Sequence, residues 1–266
     1  MLYFLKLGGS LITDKTRAYA ARREVIARLA EEVRLCLEAR PSLSLLIGHG
    51  SGSYGHWAAD PYGTREGVRT GAEWRGYAQV AAAAGRLNRV VTDAFLEAGV
   101  PVLSIQPSAS ARCRDGEVVY LDVGPIGEAL NHELVPLVYG DVAFDEIRGG
   151  TIASTENLFA YLTHELEPER ILLLSGVTGV LDRDGRLIPS ITPDDMPELR
   201  RTLAGAEEVD VTGGMADKVG RMVALVQQRP QMTVDIFTGI RPGLLTRCLL
   251  DTELRAGTRI EIGELE

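Results

Sequence analysis

Lysine is scarce in this chain of 266 residues: among 28 basic side chains only Lys6, Lys15 and Lys218 are lysine, and the rest are arginine. Where a surface merely needs positive charge the sequence uses arginine. A retained lysine therefore marks a place that requires a compact ammonium on a flexible stem, the form in which lysine binds phosphate as a point charge. Each of the three lies close to a glycine pair or a tight loop. Lys6-Leu7-Gly8-Gly9-Ser10 runs on to Lys15, and glycines directly after an apolar run let backbone N–H groups turn inward around an anion. By itself such a pair reads more readily as an ordinary strand-to-helix turn.

Three further loops carry the same kind of chemistry. Gly48-His49-Gly50-Ser51-Gly52-Ser53-Tyr54-Gly55-His56 has four glycines and two histidines, a backbone that can approach an anion closely. It lacks the Gly-Lys-Ser/Thr of a Walker A loop, and no helix is expected to open at its third glycine as a Rossmann fingerprint requires. His56 can donate a hydrogen bond to a phosphate oxygen, with a satisfied structural histidine as the competing reading; a metal role for His49 with His56 lacks a third ligand. The stretch from Tyr139 to Thr151 either turns the backbone of Thr151 toward an anion or forms a long hairpin, and Ser154 with Asn157 can cap the helix that follows. Finally, Asp210-Val211-Thr212-Gly213-Gly214-Met215-Ala216-Asp217-Lys218 puts Thr212 at an N-cap, the glycines at a helix start and Lys218 about one and a half turns in, where N–H groups and the helix dipole favour phosphate. Four glycine-bearing loops that together hold all three lysines and a Gly-His favour a two-phosphate site over four unrelated turns.

These loops need a scaffold that ends several strands at one edge. Apolar, β-branched runs at 2–7, 43–47, 100–105, 134–139, 170–174, 233–237 and 258–262 alternate with helical periodicity at 22–38, 72–98, 154–165, 213–228 and 243–250. That alternation implies an α/β fold: a three-layer αβα sandwich with a mainly parallel central sheet. Residues 111–122 read instead as a hairpin turning at Arg114-Asp115-Gly116-Glu117, placed to cover a site. The softest boundary falls at Glu165-Leu166-Glu167-Pro168, so two lobes, 1–166 and 167–266, are expected to share one continuous sheet. In such sheets ligands bind beyond the carboxyl ends of the strands.

Composition sets the outer limits. With 45% hydrophobic and 24% charged residues the chain is an ordinary globular one. A net charge of −9 disfavours nucleic acid and anionic membranes as partners, so an anionic ligand must be held by a local site. Cys36, Cys113 and Cys248 fit neither a disulfide framework nor a zinc site and are expected as buried small hydrophobes. The apolar N-terminal run is too short for a membrane helix and has no basic stretch before it, which points to the cytoplasm.

The four motifs, in this order and spanning nearly the whole chain, resemble the amino acid kinase superfamily and, within it, the isopentenyl phosphate kinases. The Gly55-His56 ending is the most specific element, because relatives that phosphorylate carboxylates or carbamate share the glycine loop but generally lack the histidine. The resemblance implies the amino acid kinase fold and ATP-dependent phosphorylation of a small isoprenoid monophosphate with Mg²⁺, in a homodimer. It further implies that His56, with Gly50, Gly55, Gly150 and Thr151, holds the acceptor phosphate. Lys6, Lys15 and Lys218 would neutralise the transferring phosphoryl group, with Gly8, Gly9, Ser10, Ser51, Ser175 and Gly213 around the nucleotide and no metal ligand assigned to the protein. A phosphate monoester has its second pKa near 6, so the acceptor oxygen needs no strong base, and positioning and charge stabilisation suffice.

Two departures stand out. Relatives usually carry Ser-Gly-Asp-Asp where this chain has Ser154-Thr155-Glu156-Asn157, leaving Glu156 as the candidate acid that orients the lysines. They also often read Thr-Asp-Val-Asp-Gly-Val where it has Ser175-Gly176-Val177-Thr178-Gly179-Val180, without either aspartate. The alanine run 81–84 either leaves room for a hydrocarbon tail between 72 and 95 or only permits close helix packing. Competing readings are another kinase of this superfold, such as a fosfomycin kinase, and a non-catalytic nucleotide or anion sensor.

Overall fold

Strand β1 (Leu2–Leu7) sets the plan of the molecule, because its side chains alternate between two cores: Tyr3, Leu5 and Leu7 enter one, and Phe4 enters the other. A strand buried on both faces needs helices on both sides. The computed structural model, which describes residues 1–203 and 215–263, supplies them. After β1 come α1 (Gly9–Ile12), α2 (Arg23–Ala39), β2 (Ser44–His49), α3 (Gly52–Ala59), α4 (Gly71–Glu97), β3 (Val102–Ser104), β4 (Arg112–Arg114), β5 (Glu117–Tyr120), α5 (Gly124–Asn131), β6 (Val135–Tyr139), β7 (Asp141–Asp145) and β8 (Gly149–Ala153). The chain continues through α6 (Thr155–Leu166), β9 (Arg170–Ser175), β10 (Ser190–Ile191), α7 (Met196–Leu203), α8 (Met215–Gln228), β11 (Thr233–Thr238), α9 (Leu244–Leu250) and β12 (Thr258–Ile260).

Eight strands form one sheet in the order β10-β12-β11-β9-β1-β2-β6-β3, parallel throughout except for β11 against β12. Helices α2, α4 and α9 bury one face and α5, α6, α7 and α8 the other, which is the expected αβα sandwich. β1 pairs with β2 on one side and β9 on the other, so the sheet runs without a break across the boundary placed at 166/167. All three cysteines are buried and free. No described helix is long and apolar enough to cross a membrane.

A second sheet, β5-β4-β7-β8, stands over the carboxyl edge of the first. Residues 141–153, open in sequence between an anion-facing loop and a hairpin, form the antiparallel hairpin β7–β8. The hairpin expected at 111–122 is present as β4–β5. Asp145 locks the two turns together. Its carboxylate accepts N–H groups from Asp115 (3.1 Å), Gly116 (2.7 Å), Ile147 (2.9 Å) and Arg148 (2.8 Å), and although burial alone would raise its pKa, these bonds hold it below the usual carboxylate range.

One expectation is overturned. A helix, α3, does open at Gly52, the third glycine of the Gly48–His56 stretch. Ser53 and Gly55 hide its periodicity, yet Tyr54 and Ala58, four apart, both face the core. His56 therefore sits on a helix rather than a loop. The helix expected from Gly213 is described only from Met215, and the motif residues 210–214 lie outside the described residues.

Asp145→Ala should lower the free energy of unfolding by about 2–4 kcal/mol in urea titrations, since several buried N–H groups lose their acceptor at once.

Candidate active site

The site is built where β1, β2 and β9 end. Gly8 N–H donates to the Leu174 carbonyl at 2.9 Å, fastening the first glycine loop to β9. A Cβ on Gly9 would lie 2.6 Å from the backbone nitrogen of Gly52, so the two glycine loops touch backbone to backbone. Thr13 ties the contact: its hydroxyl donates to the Gly9 carbonyl at 2.7 Å and accepts the N–H of Ser53 at 2.9 Å. Thr13 was not singled out in the sequence, where a threonine after an apolar pair carries no signal. Ser10 is exposed at the start of α1, and Ser175, at the end of β9, accepts the N–H of Gly239 on its carbonyl at 2.9 Å.

Lys6 shares the α6 face of β1 with Phe4, and directly opposite it in register on β2 lies Gly48. A Cβ on Gly48 would come within 2.6 Å of both Phe159 Cε1 and Thr155 Cγ2. The absence of a side chain there lets the first turn of α6 settle onto the sheet. Ser154 caps that turn by accepting the N–H of Asn157 at 3.1 Å, as its spacing suggested. The consequence is an ion pair: Lys6 Nζ donates to Glu156 Oε1 at 2.6 Å, with 13% and 11% of the two side chains exposed. Burial alone would raise the Glu156 pKa, but the ammonium groups of Lys6 and then Lys218 overcome that and hold the carboxyl below its ordinary range. Lys6 pairs directly with Glu156, and the charge of Lys218 is felt at the same carboxylate. Lys15 is exposed in the turn after α1, in a loop closed by Asp14 N–H on the Ala20 carbonyl at 2.9 Å. Gly213 lies outside the described residues.

The two histidines separate completely. His49, on the α4 side of β2 with Leu45 and Ile47, is fully buried; Nδ1 donates to the Gly50 carbonyl at 3.1 Å, Nε2 accepts from Asn88 Nδ2 at 3.3 Å, and Ser104 closes the chain onto Asn88 Oδ1 at 2.6 Å. Burial, aided by the Lys6 charge, pushes its pKa down to about 4, so it is a neutral structural residue. His56 is exposed on α3. Beside it, Gly55 packs so closely on the Ser51 hydroxyl that a Cβ would lie 2.1 Å away.

On the side of the second sheet, Gly150 and Thr151 are buried in β8. Thr151 Oγ1 donates to the Arg65 carbonyl at 3.0 Å, and the Tyr77 ring and Val68 pack against Gly150 at 3.0 Å from where its Cβ would be. Behind them Tyr77, Val80 and Val142 are buried together, with Ile152 against the same core. In the alanine run Ala83 is wholly buried and Ala81 packs against the core.

Backbone N–H groups of the glycine loops and two lysines acting on one carboxylate suit a polyphosphate. A family model described as the amino acid kinase family matches residues 1–237. The chain belongs to the amino acid kinase family. Within the amino acid kinases it is similar to the isopentenyl phosphate kinase of Methanothermobacter thermautotrophicus, at 36% identity over 97% of this chain and 98% of that one. The isopentenyl phosphate kinase of Methanocaldococcus jannaschii is 29% identical over 99% of this chain and 100% of its own. An isopentenyl phosphate kinase solved by X-ray crystallography superposes with a TM-score of 0.82 at 31% identity, covering 98% of this chain and 100% of that chain.

Two outcomes test this geometry. Gly48→Ala should overpack the α6 contact, costing about 1–3 kcal/mol in denaturant unfolding and lowering turnover as Glu156 moves off Lys6. For His49, the unfolded side chain takes up a proton near 6.5 whereas the folded one stays neutral to about 4. Its stabilising contribution is therefore complete above pH 6.5 and is lost as pH falls from there toward 4. Urea unfolding at pH 7.5 and 5.5 should show a loss of about 1 kcal/mol in the wild type that is absent in His49→Gln.

Proposed function

We propose that the protein transfers the γ-phosphoryl group of ATP to the phosphate of isopentenyl phosphate, giving isopentenyl diphosphate and ADP. The observation that carries the mechanism is the buried Lys6–Glu156 pair, with Lys218 acting on the same carboxylate, at the carboxyl edge of a parallel sheet beside two interlocked glycine loops. The substrate follows from similarity over almost the whole chain to isopentenyl phosphate kinases.

An acceptor phosphate oxygen, deprotonated at neutral pH, attacks the γ-phosphorus while the bond to the β–γ bridging oxygen breaks and ADP departs with the electron pair. No side chain has to take a proton. Lys6 and Lys218 neutralise charge on the transferring group, Glu156 keeps the two ammonium groups aligned, and Lys15 closes over the phosphates from its loop. The N–H groups of Gly8, Gly9 and Ser10, with Ser51, Ser175 and the glycine motif at 213, hold the nucleotide phosphates. Bound with the nucleotide, Mg²⁺ would supply further neutralisation of phosphate charge beside Lys6 and Lys218.

Residues 1–166 form the acceptor side and 167–266 the nucleotide side of the shared sheet. His56, Gly50, Gly55, Gly150 and Thr151 hold the acceptor phosphate, and the hydrocarbon tail lies against the apolar wall of Tyr77, Val80, Val142 and Ile152.

The decisive measurement is ADP release with Mg²⁺-ATP and a panel of isopentenyl phosphate, dimethylallyl phosphate, fosfomycin, acetylglutamate and UMP. Turnover on isopentenyl phosphate is expected; turnover on another acceptor alone replaces the substrate, and silence throughout favours a sensor. In the same assay Lys218→Ala should lower kcat by roughly two orders of magnitude with acceptor binding largely spared, and His56→Ala should weaken acceptor binding by calorimetry.

A further inference from the structure

A second charged cluster lies immediately beside the lysine–glutamate junction and joins three distant parts of the chain. Arg221 of α8 donates from Nη1 to Glu117 Oε2 at 2.6 Å and from Nη2 to Glu117 Oε1 at 2.8 Å, a two-pronged grip on the first residue of β5. From the other side, Asn157 of α6 donates Nδ2–H to the Gly116 carbonyl at 2.8 Å and to Glu117 Oε2 at 3.3 Å. The turn between β4 and β5 is therefore gripped by both helices. A lone surface ion pair contributes little. This one has fork geometry and a shared third partner, and the Arg221 side chain is only 31% exposed.

Its place on the helices gives it a consequence for the chemistry. Lys218 and Arg221 are three residues apart on α8 and share a face, while Glu156 and Asn157 are consecutive in the first turn of α6. The charge of Lys218 acts on Glu156, and Arg221, whose pKa is raised chiefly by its hydrogen bonds to Glu117, also feels Glu156. Two rungs thus connect α8 to the rest of the site, one electrostatic at the junction and one hydrogen-bonded at the hairpin turn. Arg221 is the seventh of the fourteen residues of α8, three residues beyond Lys218, so its grip on the hairpin turn lies about one helical turn from that lysine.

We propose that Arg221 and Glu117 are positioning residues for phosphoryl transfer, a clasp that fixes the first turns of α8, and with them Lys218, against the β4–β5 turn and the Lys6–Glu156 pair. The inference rests on the role given above to Lys218. Asn157 completes the clasp from the α6 side. Because β4–β5 belongs to the acceptor half and α8 to the nucleotide half, the clasp also sets the spacing of the two phosphates that must meet. Releasing it leaves the acceptor residues on α3 and β8 in place while Lys218 loses its fixed position, so kcat falls and acceptor affinity does not.

The test combines steady-state kinetics of Arg221→Ala, Arg221→Lys and Glu117→Gln with amide hydrogen exchange over residues 216–222 in the absence of any substrate. Arg221→Ala should lower kcat about tenfold or more, leave the KM for isopentenyl phosphate within about twofold and speed exchange over 216–222 about tenfold. Arg221→Lys, which keeps the charge and one donor but not the fork, should recover part of the lost kcat. Unchanged kcat and exchange in Arg221→Ala overturn the clasp. So does a parallel loss of kcat, KM and melting temperature without recovery by lysine, since that outcome assigns Arg221 to global stability. Wild-type protein inactive on isopentenyl phosphate would refute the proposed function instead, and the exchange comparison would still decide whether Arg221 orders α8.

Discussion

A lysine and a glutamate, both mostly out of water, meet at 2.6 Å at the end of the central strand, and much of the molecule is arranged to make that possible. Burying two charges is costly, and an ion pair of this kind is weak ground for stability, because apolar residues of similar volume would serve as well or better. Its use lies in what it does to the lysines. Lys6 and Lys218 both act on the Glu156 carboxylate, whose negative charge offsets the repulsion between like-charged ammonium groups. Two basic side chains and one carboxylate leave a net excess of one positive charge at this end of the sheet.

The requirement propagates outward. Glu156 reaches Lys6 only because the first turn of α6 lies flat on β2, and that turn lies flat only because Gly48 has no side chain under Phe159 and Thr155. Ser154 fixes where the helix starts, and the Phe4–Phe159 ring contact, with centroids 5.0 Å apart, fixes its tilt from below. On the opposite side of β2 a neutral hydrogen-bonded chain, Gly50–His49–Asn88–Ser104, settles the strand end without adding charge. A charged histidine there would compete with Lys6 for the same field, and burial keeps it neutral.

How much of this could be seen in the sequence depended on the range of the interaction. The αβα architecture was legible because period-two and period-3.6 patterns are local, and the meeting of the loops after β1 and β2 was legible because strand ends in a parallel sheet converge on one edge. Glu156 could be named as a candidate acid by resemblance, but its contact with Lys6, 150 residues away, depends on Gly48, whose role appears only when β2 and α6 are packed. The helical character of 52–59 was hidden because glycine and serine mask periodicity. The two histidines, seven residues apart and alike in composition of neighbourhood, separate only through the alternation of a strand and the surface of a helix. The Glu117–Arg221 contact, 104 residues apart, left no pattern at all.

The departures from the usual family motifs become intelligible in the same frame. An aspartate in place of Glu156 would be one methylene shorter, so this chain reaches Lys6 with a longer acid from the same helix turn. Asn157, where relatives usually carry a second aspartate, could not be a carboxylate in its present contacts: it donates to the Gly116 carbonyl and to the Glu117 carboxylate, and an acid would repel both. The amide frees Glu117 to receive Arg221, and the missing negative charge in α6 is replaced by one on the hairpin turn. Charge removed from the helix thus reappears about one side chain away, where it binds α8 rather than a lysine. A molecule with a net charge of −9 in this way keeps a local excess of positive charge where Lys6 and Lys218 face Glu156, while Glu117 is held by arginine.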